Sequence, residues 1–439
     1  MKIKQSWGDQ LFFKPTHIAP LVVFRVLFGL AMCISTARFL FLGWVEDQYL
    51  KPVFHFTYYG FEWVQVLSPI GMYALYGIML GCSLGIMLGL FYRFSAIAYF
   101  LAFTYTELID KTYYLNHYYF VSLVAFLLCF VPANGLYSLD AKRNPTIIQE
   151  YVPAWCVNIF KFQLGCVYFF ASIAKMNTDW LLNAMPLRIW LPANDHMPIF
   201  GFLFKEVWVA YAFSWVGMLY DLFIPFLLLN KRTRLPSYLV LLFFHAMTGY
   251  LFQIGVFPLV MSLCTLIFFD WKSNSYFVMR NAKQRDTQYE IRNTQYVKYL
   301  LTTYIIIQIA LPFRYVLYPG NLFWTEEGYR FSWRVMLVEK AGSATFSIRD
   351  NISGNEFEVI NSQFLNRHQE KQMAYQPDMI LQFAHFLGDY YKKQGFKNIS
   401  VFCESYVTMN GAVSKLIVNP EVDLLKEEES FFSKKWITK

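Results

Sequence analysis

The chain has 439 residues and a net charge of +8, with 56% hydrophobic and only 15% charged residues. Water-soluble domains carry about 25% charged residues, so this composition excludes an ordinary soluble enzyme and predicts an integral membrane protein in contact with lipid. The positive excess is typical of the cytoplasmic loops of membrane proteins. No basic stripe alternates with aromatic residues, so nucleic acid is not an expected partner.

Apolar stretches of about 20 residues, the length that crosses a bilayer, recur from residue 18 to residue 316 and then stop. They predict eight or nine spans, because two short stretches within 236–270 could form one bent unit. The fold is therefore predicted as a polytopic α-helical membrane domain, residues 1–317, followed by a smaller domain, residues 318–439. The predicted spans are 18–42, 69–92, 94–110, 116–137, 155–175, 207–229, 236–252, 254–270 and 299–316.

The loop charges predict the orientation of these spans. With nine spans, the charged loops fall on one side, which the positive-inside rule makes cytoplasmic. The C-terminal domain is then extracytoplasmic, and Lys175 and His117 lie at the outer ends of the fifth and fourth spans. The segment before the first span has no small-residue cleavage site, so no removable signal peptide is predicted. The charges are Lys2, Lys4, Lys14, Arg93, Lys142, Arg143, Lys231, Arg232, Arg234, Lys272, Arg280, Lys283, Arg285 and Arg292.

The C-terminal domain is predicted to be α+β with an antiparallel sheet. Its short strand-like runs are separated by Gly, Asp and Asn turn signals, and Asn410-Gly411 marks a hairpin. Residues 378–387 place apolar side chains at helical spacing. The predicted strands are 331–338, 344–348, 357–360, 399–402 and 413–418.

Lys175 ends an otherwise apolar run that begins at Leu164. Burial disfavours an ammonium ion, so a lysine surrounded by hydrocarbon can become a neutral base, which an exposed lysine cannot. The alternative is a helix-end lysine whose amine reaches back to the lipid headgroups. The seven cysteines show no CxxC or Cys/His spacing, so neither a metal site nor a disulfide framework is predicted.

Six segments, in one order along nearly the whole chain, closely resemble the family of vitamin K-dependent gamma-glutamyl carboxylases, in its shorter, bacterial type. They are residues 24–29 (FRVLFG), 88–93 (LGLFYR), 110–119 (DKTYYLNHYY), 168–180 (YFFASIAKMNTDW), 245–257 (HAMTGYLFQIGVF) and 324–333 (WTEEGYRFSW). The resemblance implies an enzyme that uses reduced vitamin K, O₂ and CO₂ and carboxylates a glutamate-containing protein or peptide. In the family, oxidation of the quinol to its epoxide supplies a base strong enough to remove a proton from the glutamate γ-carbon.

The resemblance also implies roles for individual residues. Lys175 matches the catalytic lysine that deprotonates the quinol, and Ala174 stands where the animal enzymes have a second lysine. His117, next to Asn116, matches the active-site histidine that orients or protonates the reacting groups. A headgroup-level histidine beside Tyr118 is the alternative for His117.

Four further residues are candidates for binding the quinol or the substrate: Asn116, His245, Tyr329 and Trp333. His245 lies deep in an apolar helix, where a histidine is either functional or satisfied by a core hydrogen bond. Tyr329 matches a tyrosine implicated in epoxidation, and its phenol could donate to a quinol oxygen. Trp333 follows in the same segment, although Trp324, Phe331 and Trp333 could equally be the core of the predicted sheet. Structural pairing is expected for the other charges near the spans: Arg25, Glu107, Asp110, Asp179 and Asp221.

Two departures from the animal enzymes bear on function. The second lysine is absent, and the chain stops at Lys439, before the extra region with which those enzymes hold a propeptide. Quinol epoxidation without glutamate carboxylation therefore stays open as an alternative. A quinone-binding membrane protein or a transporter is a third reading, but the sequence lacks the inverted repeats typical of transporters.

The charge distribution makes the topology testable. Cysteine labelling or reporter fusions should find Lys142, Arg232 and Arg285 inside the cell, and Glu358 and Glu404 outside. A cytoplasmic C-terminal domain would contradict the predicted orientation.

Overall fold

The computed structural model of the protein describes residues 12–198, 200–252, 254–271 and 294–438. Helices dominate up to residue 325, and most of the strands follow. The described residues form fifteen α-helices, numbered α1 to α15 in chain order: Ala19–Phe41, Pro69–Leu88, Tyr92–Ile109, Asn116–Leu128, Leu139–Arg143, Trp155–Lys175, Thr178–Leu181, Leu187–Trp190, Val207–Leu229, Arg234–Phe252, Phe257–Cys264, Thr294–Ala310, Leu322–Thr325, Arg367–Met373 and Pro377–Lys393.

Six of the described helices are long and apolar enough to span a membrane. The predicted count of eight or nine is not confirmed, for reasons visible in the three remaining stretches. Helix α3 contains Arg93 and Glu107, and α4 ends at Leu128, shortly before Pro132. Helix α11 starts only at Phe257, after the left-handed Gly255, and ends at Cys264. The six are Ala19–Phe41, Pro69–Leu88, Trp155–Lys175, Val207–Leu229, Arg234–Phe252 and Tyr296–Leu317.

Arg25 fastens the first two spans together. Its side chain is fully buried, and its guanidinium donates to the carbonyls of Ile86 and Met87 at 2.9 Å each and of Tyr137 at 2.7 Å. The last carbonyls of a helix have no partner within the helix, so a buried α2 C-terminus needs these donors. Arg25 was expected to pair with a carboxylate, and the structure shows that backbone carbonyls take that place.

The C-terminal region contains a four-stranded antiparallel sheet, as predicted. The strands are β3 (Lys340–Asp350), β4 (Glu356–Glu358), β5 (Ile399–Met409) and β6 (Lys415–Leu416), in the order β4-β3-β5-β6. A two-stranded ribbon, β1 (Pro15–His17) with β2 (Tyr151–Pro153), lies in the helical part. Asn410 and Gly411 both have positive φ between β5 and β6, in agreement with the predicted hairpin.

Helix α15 packs on β5 and forms the core of this region with the sheet. Phe383 on the helix contacts Phe346 on β3, with ring centroids 5.1 Å apart. Phe56, from the loop between α1 and α2, is fully buried in the same core. Two predicted strands differ from the structure: β6 covers only residues 415–416 of 413–418, and no strand forms at 331–338.

Buried polar contacts join the sheet region to the helical part. Asp378 on α15 accepts from Lys111 at 2.8 Å and from Arg330 at 2.7 Å. Gln369 on α14 donates to the Asp110 carboxylate at 2.7 Å. All these contacts lie at the ends of the helical part where α3 stops and α4 starts, which is also the end at which α6 finishes with Lys175. The sheet region therefore covers the same side that carries Lys175 and His117.

The Asp378 network should make the protein acid-sensitive. Burial alone would raise the pKa of the Asp378 carboxyl, but Arg330 and Lys111 together hold this pKa well below its usual range. A lowered folded-state pKa stabilises the fold above the unfolded-state pKa of about 4, and this contribution is lost as the pH falls below that value. Asp378→Asn should cost about 3–5 kcal/mol at neutral pH, because the buried Lys111 and the partly buried Arg330 lose their partner.

This prediction can be checked by unfolding the detergent-solubilised protein at several pH values. Asp389→Asn, on the exposed side of the same helix, is the matched control and should follow the wild type. Equal acid sensitivity in the wild type and Asp378→Asn would contradict the assignment.

Candidate active site

Lys175 forms a buried ion pair with Asp221. Lys175 is the last residue of α6, and its Nζ lies 2.7 Å from the Asp221 Oδ2 atom on α9. Lys175 is 8% and Asp221 5% exposed, so both charges are withdrawn from solvent. The Trp180 ring lies 5.5 Å from the same amine. The alternative in which Lys175 reaches the headgroups is therefore wrong, since the amine is paired inside the protein.

Asp221 lies at the site, but the sequence placed it only among the charged residues expected to form structural pairs. It is the one charged residue of α9, whose 23 residues are otherwise apolar or uncharged. A single carboxylate inside a span needs a partner, and this was the available signal. The partner itself was hidden, because 46 residues separate Lys175 from Asp221 in the chain.

The ion pair lies in the wall of an apolar cavity, which we call the Lys175 cavity. His245, on α10, faces the same space. The His245 Nε2 atom is 2.9 Å from the Tyr168 hydroxyl, whereas its Nδ1 atom is buried with no hydrogen-bond partner among the described residues. The cavity has a volume of about 110 Å³. Its other walls are mostly aliphatic and aromatic, among them Val167, Ala171, Leu187, Trp190, Phe213 and Phe244.

A second and more polar cavity, the His117 cavity, lies beside the first. His117, Asn116, Tyr329 and Arg334 line it, and its volume is about 680 Å³. His117 is 9% exposed, and its ring contacts Tyr118. Burial raises the pKa of the Tyr329 phenol, so this hydroxyl stays protonated at neutral pH and can donate a hydrogen bond.

The two cavities share a wall. Phe252, Ile254, Phe257, Val335 and Met336 line both of them. The Phe257 ring lies between the two histidines, 5.6 Å from the His117 ring and 5.7 Å from the His245 ring, measured between centroids. A molecule in one cavity is therefore separated from a molecule in the other by little more than one layer of side chains.

The polypeptide from Glu326 to Met336 supplies part of this wall and adopts an irregular path. Phe331, Trp333 and Met336 all have positive φ, a conformation that costs non-glycine residues free energy and that a strand does not contain. Gly328 has a φ of +82°, and a Cβ atom at this position would lie only 2.9 Å from the Tyr315 Cα atom. The predicted strand at 331–338 is wrong because this segment follows the surface of the helical part.

The structure brings five of the six candidate residues to the cavities. Lys175 and His245 line the Lys175 cavity, and His117, Asn116 and Tyr329 line the His117 cavity. Trp333 lines neither. It is 1% exposed and stacks on Tyr119 within the helical core, with ring centroids 4.9 Å apart. The reading of Trp333 as sheet core is also wrong, since its neighbours belong to the helices.

The described residues thus form two adjoining cavities, one apolar with a buried amine and one more polar, in a protein with six helices long and apolar enough to span a membrane. Residues 13–272 match the HTTM domain family, and residues 292–439 match the lumenal domain of vitamin K-dependent gamma-carboxylase. No solved structure matches the chain with statistical significance. The chain belongs to the vitamin K-dependent gamma-glutamyl carboxylase family, as its sequence motifs indicated.

The buried pair can be tested by its stability signature. Lys175→Met alone or Asp221→Leu alone leaves one buried group without its partner and should cost about 3–5 kcal/mol, whereas the double variant should regain most of that loss. Unfolding in detergent of the wild type, both single variants and the double variant measures the coupling. Additive losses would show that the two side chains do not interact.

Proposed function

We propose that this protein is a vitamin K-dependent gamma-carboxylase that couples oxidation of a reduced naphthoquinone by O₂ to carboxylation of peptidyl glutamate. The observation that carries the proposal is the pair of adjoining cavities, with the Lys175–Asp221 pair in the apolar one and His117 in the polar one. The quinol and the glutamate side chain are an apolar and a charged reactant that must meet. Two spaces of opposite character with one common wall suit that requirement.

The residues of the Lys175 cavity fit a quinol. Aromatic and aliphatic side chains suit the quinol ring, and the orphaned His245 Nδ1 atom offers a polar partner for a ring hydroxyl. The cavity volume of about 110 Å³ is below the roughly 300 Å³ of small ligand pockets, so side chains of the wall have to move to admit the ring and its isoprenoid tail. When bound, reduced vitamin K would supply, through its oxidation to the epoxide, the strong base that no side chain can provide. His245 and Thr248 would orient the quinol, and the apolar wall would exclude water.

The Lys175–Asp221 pair would act as the proton acceptor for the quinol hydroxyl. An isolated buried lysine would have to be neutral to accept a proton. A lysine paired with a carboxylate need not be neutral, because the pair as a unit can take up one proton. The proton goes to the Asp221 oxygen if Lys175 is already an ammonium, or to the Lys175 amine if Asp221 already carries a proton. The ammonium that remains stabilises the negative oxygen left in the cavity. With Asp221 as the partner of Lys175, proton uptake from the quinol would not require a second lysine at position 174.

The His117 cavity would hold the glutamate side chain of a protein or peptide substrate. The His117 ring contacts Phe257, which belongs to the shared wall. We assign His117 to the glutamate-derived carbanion. The lifetime of that carbanion depends on the exclusion of other proton donors. Asn116 donates to the Arg334 carbonyl at 2.7 Å, so its observed role is to hold the segment that carries Arg334. Tyr329 belongs to this cavity, and we therefore assign its phenol to the glutamate side of the reaction.

The lumenal-domain match supports an extracytoplasmic C-terminal region, and substrates would enter from that side. The decisive experiment is quinol-dependent incorporation of labelled CO₂ into a Glu-containing peptide, with epoxide measured in the same reaction. Epoxide without labelled peptide would favour a quinol epoxidase that lacks carboxylation. Absence of both products in the folded protein would overturn the proposal.

Substitutions should separate the two half-reactions. Lys175→Ala combined with Asp221→Asn should abolish epoxide formation and carboxylation, whereas His117→Ala and Tyr329→Phe should lower carboxylation about 10²-fold or more and epoxide formation far less. His385→Gln, a histidine of α15 that bonds the Glu427 carbonyl, is the control and should keep both activities. Equal losses of both activities in His117→Ala would contradict a separate role for the His117 cavity.

A further inference from the structure

The lining of the His117 cavity is unbalanced in charge. Two arginines, Arg38 and Arg334, and two histidines, His117 and His368, face it, while its described lining contains no aspartate or glutamate. The Lys175 cavity differs, because Asp221 neutralises its one lysine. A positively charged space with no carboxylate of its own favours an anionic occupant.

Arg334 is the exceptional member of this lining. Six lysines and arginines are buried among the described residues, and five of them have charged or carbonyl partners in the protein. Around Arg334, by contrast, no carboxylate of the described chain lies within 4.0 Å. Its buried Nε atom has no hydrogen-bond partner, and neither has that of Arg25, but the Arg25 guanidinium has three carbonyl partners and that of Arg334 has none among the described residues. The five partnered residues are Arg25 with three carbonyls, Lys111 with Asp378, Lys175 with Asp221, Arg234 with Asp270, and Lys340 with Glu326.

A buried cation without a partner is costly, and the surroundings of Arg334 do not relieve that cost. Arg334 is 5% exposed, and its guanidinium stacks on the Tyr315 ring at 4.5 Å, which supports the cation without neutralising it. Burial lowers the pKa of the guanidinium, yet arginine stays protonated at neutral pH. The charge is therefore retained and available to a ligand.

The backbone around Arg334 is held in an uncommon shape. Trp333 before it and Met336 after it have positive φ, and Asn116 fixes the Arg334 carbonyl. Strain of this kind persists where the surrounding structure imposes it, and it is concentrated at ligand sites. Val335 and Met336, directly after Arg334, form the wall shared with the Lys175 cavity.

We propose that Arg334 binds the side-chain carboxylate of the glutamate substrate within the His117 cavity, an inference that rests on the proposed function. The planar guanidinium matches a carboxylate with two parallel hydrogen bonds, which a lysine cannot reproduce. A carboxylate held there keeps its γ-carbon one bond away, in the cavity next to the quinol.

The same contact would assist the reaction. When the γ C–H bond breaks, the proton goes to the base that quinol oxidation supplies, and the electron pair left on the γ-carbon adds charge to the neighbouring carboxylate. The guanidinium stabilises that additional charge before the pair forms the new C–C bond with CO₂. Arg334 would therefore contribute to turnover as well as to affinity.

The first test is binding, which does not depend on turnover. A fluorescent Glu-containing peptide and its Gln analogue are titrated by anisotropy against the purified full chain in detergent. The wild type should prefer the Glu peptide by about tenfold or more, and Arg334→Gln should remove that preference. Arg334→Lys should restore it only in part, because a lysine keeps the charge without the two parallel bonds.

Arg38→Gln is the matched comparison, since it removes a guanidinium from the same cavity. Arg38 is exposed and stacks on Trp44 at 4.8 Å, so its loss should weaken Glu-peptide binding by no more than about threefold. An equal effect of Arg38→Gln and Arg334→Gln would mean general electrostatic attraction and would overturn the proposal. Arg334-dependent binding of inorganic phosphate or of phosphatidylglycerol vesicles, with no preference for Glu over Gln, would overturn it as well.

The second test separates this inference from the proposed function. In an active wild type, Arg334→Gln should raise the KM for the Glu peptide and lower kcat, and an unfolding transition in detergent like that of the wild type would show that the variant folds. A wild type that makes no epoxide but shows Arg334-dependent binding of the Glu peptide would refute the proposed function and keep the carboxylate site. An active wild type whose Arg334→Gln variant carboxylates normally would refute the carboxylate site alone.

Discussion

A charge removed from water inside a membrane protein has to find its partner within the protein, and this constraint shapes the whole molecule. Arg25 is satisfied by the carbonyls at the end of α2, and this contact fastens α1 to α2. Lys111 and Arg330 share Asp378, which joins the helices to the sheet region. Lys175 and Asp221 apply the same solution at the cavity where we propose quinol chemistry. Arg334 departs from this rule among the described residues, and we propose that its partner is the carboxylate of the substrate.

The junction of the helical part with the sheet region creates the site. Helices alone would leave the ends of α4 and α6 open, and the segment from Glu326 to Met336 closes them by lying across the helices. Gly328 permits this path, because a side chain there would meet the Tyr315 backbone. Asn116 and Tyr114 bond the segment at the Arg334 carbonyl and the Phe331 amide. Each cavity therefore draws on residues from both of the regions that match a family model.

The shared wall keeps the two cavities apart and at the same time close to each other. A strong base generated next to water would be quenched, so an apolar chamber for its formation is an advantage. In the function we propose, the base has to reach the glutamate, and Phe257, whose ring contacts both histidines, shows how thin the wall is. Val335 and Met336 belong to the same segment as Arg334, which links carboxylate binding to the shape of the wall. The arrangement offers a physical basis for coupling two reactions without a large cavity open to both.

The sequence by itself determined the membrane class, the family, the approximate bounds of the six long apolar helices and the antiparallel C-terminal sheet, because composition, hydrophobic run length and contiguous motifs are local properties. The count of eight or nine spans went unconfirmed because run length does not reveal where Gly255 or the polypeptide after Leu128 interrupts a helix. Trp333 was misplaced, since a strand-like pattern does not show which surface the segment covers. Only the tertiary structure paired Lys175 with Asp221, placed Phe257 between two histidines and left Arg334 without a carboxylate, because each of these relations joins residues distant in the chain.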